Sequence, residues 1–450
     1  MLSCGFEKKE ITPPLGSFIV GYYEPRLSKG NIDKLYARAV AFDDGERKTV
    51  IISVDVCYLL KDFCDDVRRK IAEFCRMDEE AILISCNHTH TGPLIGKDFS
   101  SEVESDPSYV EMLKYAIRDA AVGAFADLKP SRLFTAETKA EGISFIRRYK
   151  MKDGTTRTNP GELNPQIDHA LGIPNEEVRL LKIVRDGGDD IFVVNFGTHS
   201  DTVGGEYISA DYPGYVCSTL EGAIPGIQCM FLLGPQGDVN HLDFLKPGCG
   251  KVISERHNTD VKETIAHARH MGRVIAGQEL TVCDRAKEVK SDKIWFGSKE
   301  LEFPSNQEND RLEEAKRIND LYLAGRTEEL KESGMGLITL IAEARRIIDL
   351  ENGPDSYKYN IYAVRIGDFV FAGTPGEPFT EIARRIYKVS PFDNTMLCCL
   401  TNASCGYLGT SQAYEEGGYE LRASVYKAGV DDILVNGMQE LLQELKLSFV

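Results

Sequence analysis

The chain contains no run of about 18 or more apolar residues, the length a helix needs to cross a bilayer, so it is not expected to span a membrane. Its opening, MLSCGFEKKEITPP, lacks the basic segment and apolar core of a secretory leader, and a cytoplasmic location is expected. No compact block of Lys and Arg is present, and the formal net charge of -17 opposes a phosphate backbone. Nucleic acid and membranes are therefore not expected partners; a small-molecule substrate is. The 12 cysteines show no CxxC pair and no regular disulfide spacing: Cys398 and Cys399 are adjacent, and Cys86 stands alone. Buried free thiols in a reducing compartment are expected, not a cysteine zinc site. Internal repeats and low-complexity tracts are also missing.

What is present is an ordinary globular composition, 42% hydrophobic and 27% charged over 450 residues. Apolar, β-branched runs recur as KTVIISVDV, AILISCN, IFVVNFGTH, CMFLLGP, YNIYAVRIGDFVFAGTPG and TMLCCLTNAS, each bounded by turn formers. Between them CDDVRRKIAEFCR, YVEMLKYAIRDAAVGAFADL and FTEIARRIYKV place apolar residues at helical spacing. The alternation predicts an α/β fold with a mixed β-sheet core flanked by helices, as one domain over residues 1–450. Three stretches depart from it. Residues 141–175 read as a long ordered loop or hairpin and residues 243–262 as a surface connection. Residues 306–350, helical and charged, read as a helical hairpin inserted into the domain and packed on it.

Candidate chemistry gathers at strand ends. In CNHTHTGP, alternate residues of an extended chain share a face, so His88 and His90 are expected to project into one cavity, as metal ligands or as a buried and a surface histidine. His199 in GTHSD and His241 in GDVNHLD also follow apolar runs, where ligand sites form in α/β sheets. His257, His267 and His270 read as surface residues, and His169 is ambiguous. In GPQGDVNHLD, Gly234 and Gly237 permit close backbone approach to a ligand, and Asp238 has the chemistry to orient a histidine or to close a turn. Glu377 in GTPGEPFTEIARR stands where a carboxylate either caps a helix or binds metal. The basic residues Arg147, Arg148, Lys150, Lys152 and Arg157 suit an acidic or polyhydroxylated group, or form a solvated loop.

Taken in order, ITPP with GYY, SVDVC, NHTHTGP, NFGTHSD, SADYPGY, GPQGDVN, TPGEPFTEIARR and GYLGTSQAYEEGGYE resemble the neutral, non-lysosomal ceramidases over roughly residues 5 to 425. The resemblance implies a ceramidase-type catalytic domain with one catalytic zinc held by His88, His199, Glu377 and Tyr407. It leaves His90 facing the substrate, Tyr419 bonded to the reacting carbonyl, and Arg147, or alternatively Arg148, lining the pocket. The implied chemistry is hydrolysis by a metal-activated water, with His90 passing a proton to the leaving amine.

Two features separate the chain from that pattern. The family's GDVSPN is GDVNHL here, so Asn240 replaces a serine and His241 a proline, and an amide cannot act as a hydroxyl nucleophile. A C-terminal β-sandwich like that of the ceramidases is also not expected after the catalytic region. The expected activity is thus a zinc-dependent hydrolase acting on an amide bond of a small polar substrate rather than ceramide. Asp238, Asn240, His241 and Arg148 are expected to contact the substrate. The same metal site serving a glycosidic or ester bond, iron or manganese in place of zinc, and a non-catalytic metal-binding relic stand as alternatives.

Overall fold

Every residue of Ile82–Cys86 is buried, as is every residue of Lys48–Val54 after the first. A strand with no solvated face must lie between two layers, and the computed structural model supplies them. It describes residues 1–22, 26–96, 103–256, 258, 260–291, 293–307, 310–332 and 334–448. The larger sheet contains β1 (Ser3–Glu10), β2 (Tyr36–Asp43), β3 (Lys48–Val54), β4 (Ile82–Cys86), β5 (Lys129–Lys139), β6 (Glu177–Arg185), β7 (Asp190–Phe196), β8 (Ile227–Leu233) and β9 (Lys287–Val289). Their order is β8-β7-β6-β5-β1-β2-β3-β4, with β9 beside β5.

One face of this sheet carries Val50, Ile52 and Val54 against a helical layer. That layer comprises α1 (Lys61–Cys75), α2 (Pro107–Ala126), α3 (Asp211–Ala223) and α4 (Ala266–Val282). α2 starts where it does because Pro107 takes the first helical position and the Asp106 carboxylate accepts from the Ser108 N–H at 2.8 Å. The opposite face, with Ile51, Leu83 and Met230, packs on Val364, Phe371 and Met396 of a second sheet. Strand alternation alone divides neighbouring residues between the two cores.

The second sheet begins with β10 (Ile294–Pro304). The chain then leaves it as a helical pair, α5 (Leu312–Leu323) and α6 (Gly334–Glu351), and returns as β11 (Ser356–Ile366), β12 (Phe369–Gly373) and β13 (Asn394–Cys398). Its outer face, with Val370, Ala372 and Leu397, is covered by α7 (Thr380–Val389) and α8 (Val430–Leu447). The layers therefore run helix, sheet, sheet, helix. The mixed sheet flanked by helices stands as expected, with the second sheet as one of its covers. The α5–α6 pair closes on a small apolar cluster of its own that includes Ile318, Leu321, Ile341 and Ile347.

Residues 141–175 are more regular than a loop: Arg148–Met151 is the central strand of a three-stranded sheet with Thr156–Thr158 and Ile167–Ala170. Residues 243–262 are not a plain surface connection. They carry the short helix Cys249–Glu255, and Phe244 and Cys249 are buried against Tyr149 because these apolar side chains cover that small sheet. No helix among the described residues is long and apolar enough to cross a membrane.

Candidate metal centre and cleft

The parallel pairs β3–β4, β7–β8 and β12–β13 are each joined by a crossover helix, so within each pair the carboxyl ends point one way. Loops leaving those ends meet at one place. Cys57 follows β3, His88 follows β4, His199 follows β7, Gln236 follows β8 and Glu377 follows β12. The His88–His90 pair is not an extended segment as the sequence implied. β4 ends at Cys86, and His88 adopts a left-handed backbone conformation (φ 64°), so a bend sets the two rings edge to face at 4.9 Å. Gly21, at φ 113°, covers His90 so closely that a Cβ there would lie 2.6 Å from the His90 Cα.

Each ligand-type histidine is aimed by its other nitrogen. Nδ1 of His88 lies 2.9 Å from the Cys57 carbonyl, and Nδ1 of His199 lies 2.9 Å from the Gln236 carbonyl. A carbonyl only accepts, so both Nδ1 atoms carry hydrogen and Nε2 is the inward-facing nitrogen of each ring, the one that offers a lone pair to a metal when the ring is neutral. These Nε2 atoms stand 3.3 and 3.4 Å from one oxygen of Glu377, which also accepts from the Gln236 amide at 3.2 Å. The three side chains are buried, one ligand atom from each lies within 4.8 Å of the others, and His199 Nε2 has no hydrogen-bond partner. Burial raises the Glu377 carboxyl, but the charge and hydrogen bond of His88, with Arg147 and Gln236, outweigh it and hold the group below its usual range. Two imidazoles and an ionised carboxylate fit a divalent transition metal with an N/O preference. Cys57, His88 and His90 also converge. That set competes less well, because the His88 nitrogen nearest the thiol, 3.6 Å away, is the one donating to the Cys57 carbonyl.

Tyr407 joins the group through backbone pairing: the two-residue strands Glu377–Pro378 and Tyr407–Leu408 run parallel with Glu377 opposite Tyr407. Its ring stacks on His199 at 6.3 Å, and the Arg147 guanidinium lies 5.3 Å from its centroid. Arg147 is held by the buried Glu420 at 2.6 Å and by the Gly237 carbonyl at 2.9 Å. Tyr419, at the start of the short helix Tyr419–Ala423, sets its ring 5.9 Å from Tyr407.

Four residues expected at the substrate lie behind the cavity wall instead. Arg148 borders neither cavity: it pairs with Glu416 at 3.3 Å and donates to the Gly417 carbonyl at 2.8 Å. Asp238 accepts from Thr380 N and Oγ1 at 2.7 and 3.0 Å, capping α7, whose own N-cap residue Phe379 makes no side-chain cap. Asn240 donates to Asn159 at 2.9 Å and accepts from Leu242 N at 3.0 Å. His241 is buried against His267, ring centroids 5.1 Å apart, so His267 is half-buried rather than a surface residue. His270 and His169 are exposed, and His257 lies outside the described residues. Gly237 does permit a close approach, but to backbone: a Cβ there would lie 2.4 Å from the Glu377 carbonyl oxygen.

Several contributors were not singled out from sequence. Cys57 acts through its carbonyl, for which no side-chain signal exists, and Gln236 through both its carbonyl and its side-chain amide. Asp201, inside GTHSD, lies 3.8 Å from His90 Nδ1 and is bonded to Tyr22 at 2.5 Å and Arg256 at 3.0 Å. Burial opposes its charge, but Arg256 and His90 outweigh burial and hold Asp201 well below the carboxylate range.

The centre opens into a cavity of about 310 Å³ bordered by Cys57, His90, Tyr407 and Tyr419. A second cavity of about 600 Å³ shares His90 and both tyrosines and is bordered by Arg147, Asp201, Arg256 and, from α6, Thr339.

No protein-family model and no curated protein matches this sequence. Solved structures do. A neutral ceramidase from Pseudomonas aeruginosa superposes with a TM-score of 0.73 at 18% identity, over 99% of this chain and 75% of that one. The fold is that of the neutral ceramidases. A ceramidase complexed with C2 aligns with a TM-score of 0.74 at 16% identity, again over 99% of this chain and 75% of the other. At such identities the likeness to ceramidases carries the fold, and the chemistry has to be argued from this chain's own residues.

Proposed function

We propose that the protein is a metal-dependent hydrolase, with zinc as the metal, that cleaves an amide bond in a small, polar, water-soluble molecule. The observation carrying this reading is the convergence of His88, His199 and Glu377 on one point in a cavity also bordered by His90, Tyr407 and Tyr419. A bound divalent metal supplies Lewis acidity and brings the pKa of water toward neutrality. His90, its Nε2 3.3 Å from His88 Nε2, stands where a base takes the proton of an attacking water and returns it to the leaving amine. Tyr419 is the hydroxyl donor for the developing oxyanion, and Arg147 positions Tyr407 by lying against its ring. The cavity bordered by Asp201, Arg147 and Arg256 favours a polar leaving group over a second hydrocarbon chain. Twelve unpaired cysteines agree with a reducing cytoplasmic setting. The glycosidic alternative relied on Asn240 and His241 touching sugar hydroxyls, and both are bonded or buried elsewhere.

The test has two parts. Metal analysis of the purified protein should give one transition-metal ion per chain, lost in His88→Ala and His199→Ala; metal content unchanged by both substitutions sinks the centre. A panel of amides, esters and glycosides should show chelator-sensitive turnover of amides. Turnover confined to glycosides, or insensitive to chelation, overturns the amidase reading.

A further inference from the structure

α6 spans the cleft with one face. Gly336, Thr339, Glu343 and Arg346 border the cleft cavities, whereas Ile341, Ala344 and Ile347 pack toward α5. The two sets alternate at helical spacing, so the same amphipathic pattern that seals the α5–α6 pair fixes which side chains overhang the metal centre.

Beside Tyr419 this overhang encloses a recess of about 270 Å³ with an unusual charge balance. Arg157, Arg346 and Arg422 border it, against Glu343 as its acid. Glu343 is already engaged by Arg311 and by Arg422, the latter through Nε at 2.7 Å. Arg346 gives one N–H to the Arg422 carbonyl at 2.9 Å, and neither it nor Arg157 forms a close ion pair among the described residues, although Arg157 is near enough to Asp153 to help lower its carboxyl. Such an excess of guanidinium is set against the formal charge of -17 for the whole chain. Arg346 also borders the cavity at the metal centre, so the recess and the reaction site are contiguous. Of the basic residues of 147–157, Arg157 alone reaches this recess; Lys150 and Lys152 are bonded to the carbonyls of Gly154 and Pro165.

We infer that this recess is the subsite for an oxyanion group of the substrate, a carboxylate or a phosphate ester, gripped between Arg346 on α6 and Arg157 on the facing strand. The inference rests on the hydrolase reading and sharpens it: the substrate is an N-acyl compound carrying a negative charge near the scissile amide. A guanidinium fork matches a planar carboxylate or a phosphate with paired N–H donors, which a neutral amide cannot satisfy. The helical insertion is then the part that selects the substrate, while the strand ends below it perform the chemistry.

Binding and turnover separate the two claims. Calorimetry with glutarate and with propyl phosphate, neither of which carries an amide bond, measures recognition of the anion without any reaction, using 1,5-pentanediol as the neutral control. Tighter binding of the first probe identifies a carboxylate source and of the second a phosphate source. Hydrogen bonds to a charged group of this kind support about a 10- to 100-fold weakening of anion binding in Arg346→Gln, and a further loss in Arg346→Glu. Arg157→Gln, on an exposed strand outside the packed core, should weaken it about 3- to 10-fold, so the result does not hang on one variant's folding. Selectivity for anionic over neutral amides in kcat/KM should fall in parallel. Anion binding unchanged in both Arg346→Gln and Arg157→Gln, or no preference for either anion over the neutral control, overturns the subsite even if amides are hydrolysed. Arginine-dependent anion binding with no hydrolysis of any amide leaves the subsite standing and refutes the hydrolase reading.

Discussion

His88, His199 and Glu377, on the floor of the cleft, stand at the ends of strands buried between two layers, and each is fixed by a backbone carbonyl or by the Gln236 amide. Arg346 and Thr339, on its roof, ride on a helix whose apolar contacts belong to a separate small cluster, fastened below through Glu343 and Arg422. The contrast separates two tasks. Preorganised polar groups in a water-poor site stabilise developing charge only if they cannot relax, whereas a surface that discriminates substrates is free to sit on a replaceable element. Rigid chemistry below and adjustable selection above is what this fold offers.

The largest expected effect lies on the floor. Glu377→Gln leaves two imidazoles without their shared carboxylate, and amide turnover should fall by at least about 10³-fold with bound metal lost, as read by kcat/KM and metal content. An equal loss in Arg346→Gln would erase the distinction between floor and roof.

The layer beneath the floor carries an uncompensated group of its own. Glu279 on α4 is fully buried, neither carboxyl oxygen has a hydrogen-bond partner, and burial pushes its pKa from 4.5 to about 8. A raised folded-state pKa means the native state holds the proton more tightly. Its stabilising contribution is complete below about pH 4.5 and is lost as pH rises toward 8. Glu279→Gln should abolish that slope and stabilise the protein at pH 8.5 by roughly 2–4 kcal/mol, as measured by urea unfolding at pH 5 and 8.5. Wild-type stability that is flat across this window would show that the carboxyl finds water.

The floor was largely legible in the sequence because its residues end apolar runs, and a buried strand announces its own end. What sits one residue further was not. Gln236 and Asp238 share the fragment GPQGDVN, yet Gln236 bonds Glu377 while Asp238 caps α7, and only the tertiary turn at Gly237 decides between them. Arg147 and Arg148 posed the same question, since both reach Glu420 and only Arg147 borders the cleft. His88 belongs to the cleft through a left-handed bend that the extended-chain argument did not contain. The roof was legible as a pair of charged helices, but where its polar face pointed depended on what it covers.

Within the floor, the support should matter less than the ligands. Gln236→Leu keeps the backbone carbonyl that aims His199 and removes only the 3.2 Å bond to Glu377, so metal affinity should drop about 10-fold in competition with a chelator. A drop as large as that of Glu377→Gln would mean that the carboxylate's orientation depends wholly on the amide.

The smallest effect probes how the roof is held. Burial raises the Glu343 carboxyl, but its bonds to Arg422 and Arg311 outweigh burial and keep it below 4.5. The fastening it provides is therefore complete above that pH and is lost as pH falls through the lower folded-state value. Because the two arginines are about half exposed, 50% and 41%, solvent screens the pair, and Glu343→Gln should cost only about 1 kcal/mol. Amides of α5 and α6 should then exchange about fivefold faster in the variant at neutral pH, while those of β3 keep their protection. If β3 loosens as well, roof and floor form one cooperative unit, and selection by α6 could not be altered without disturbing the metal centre.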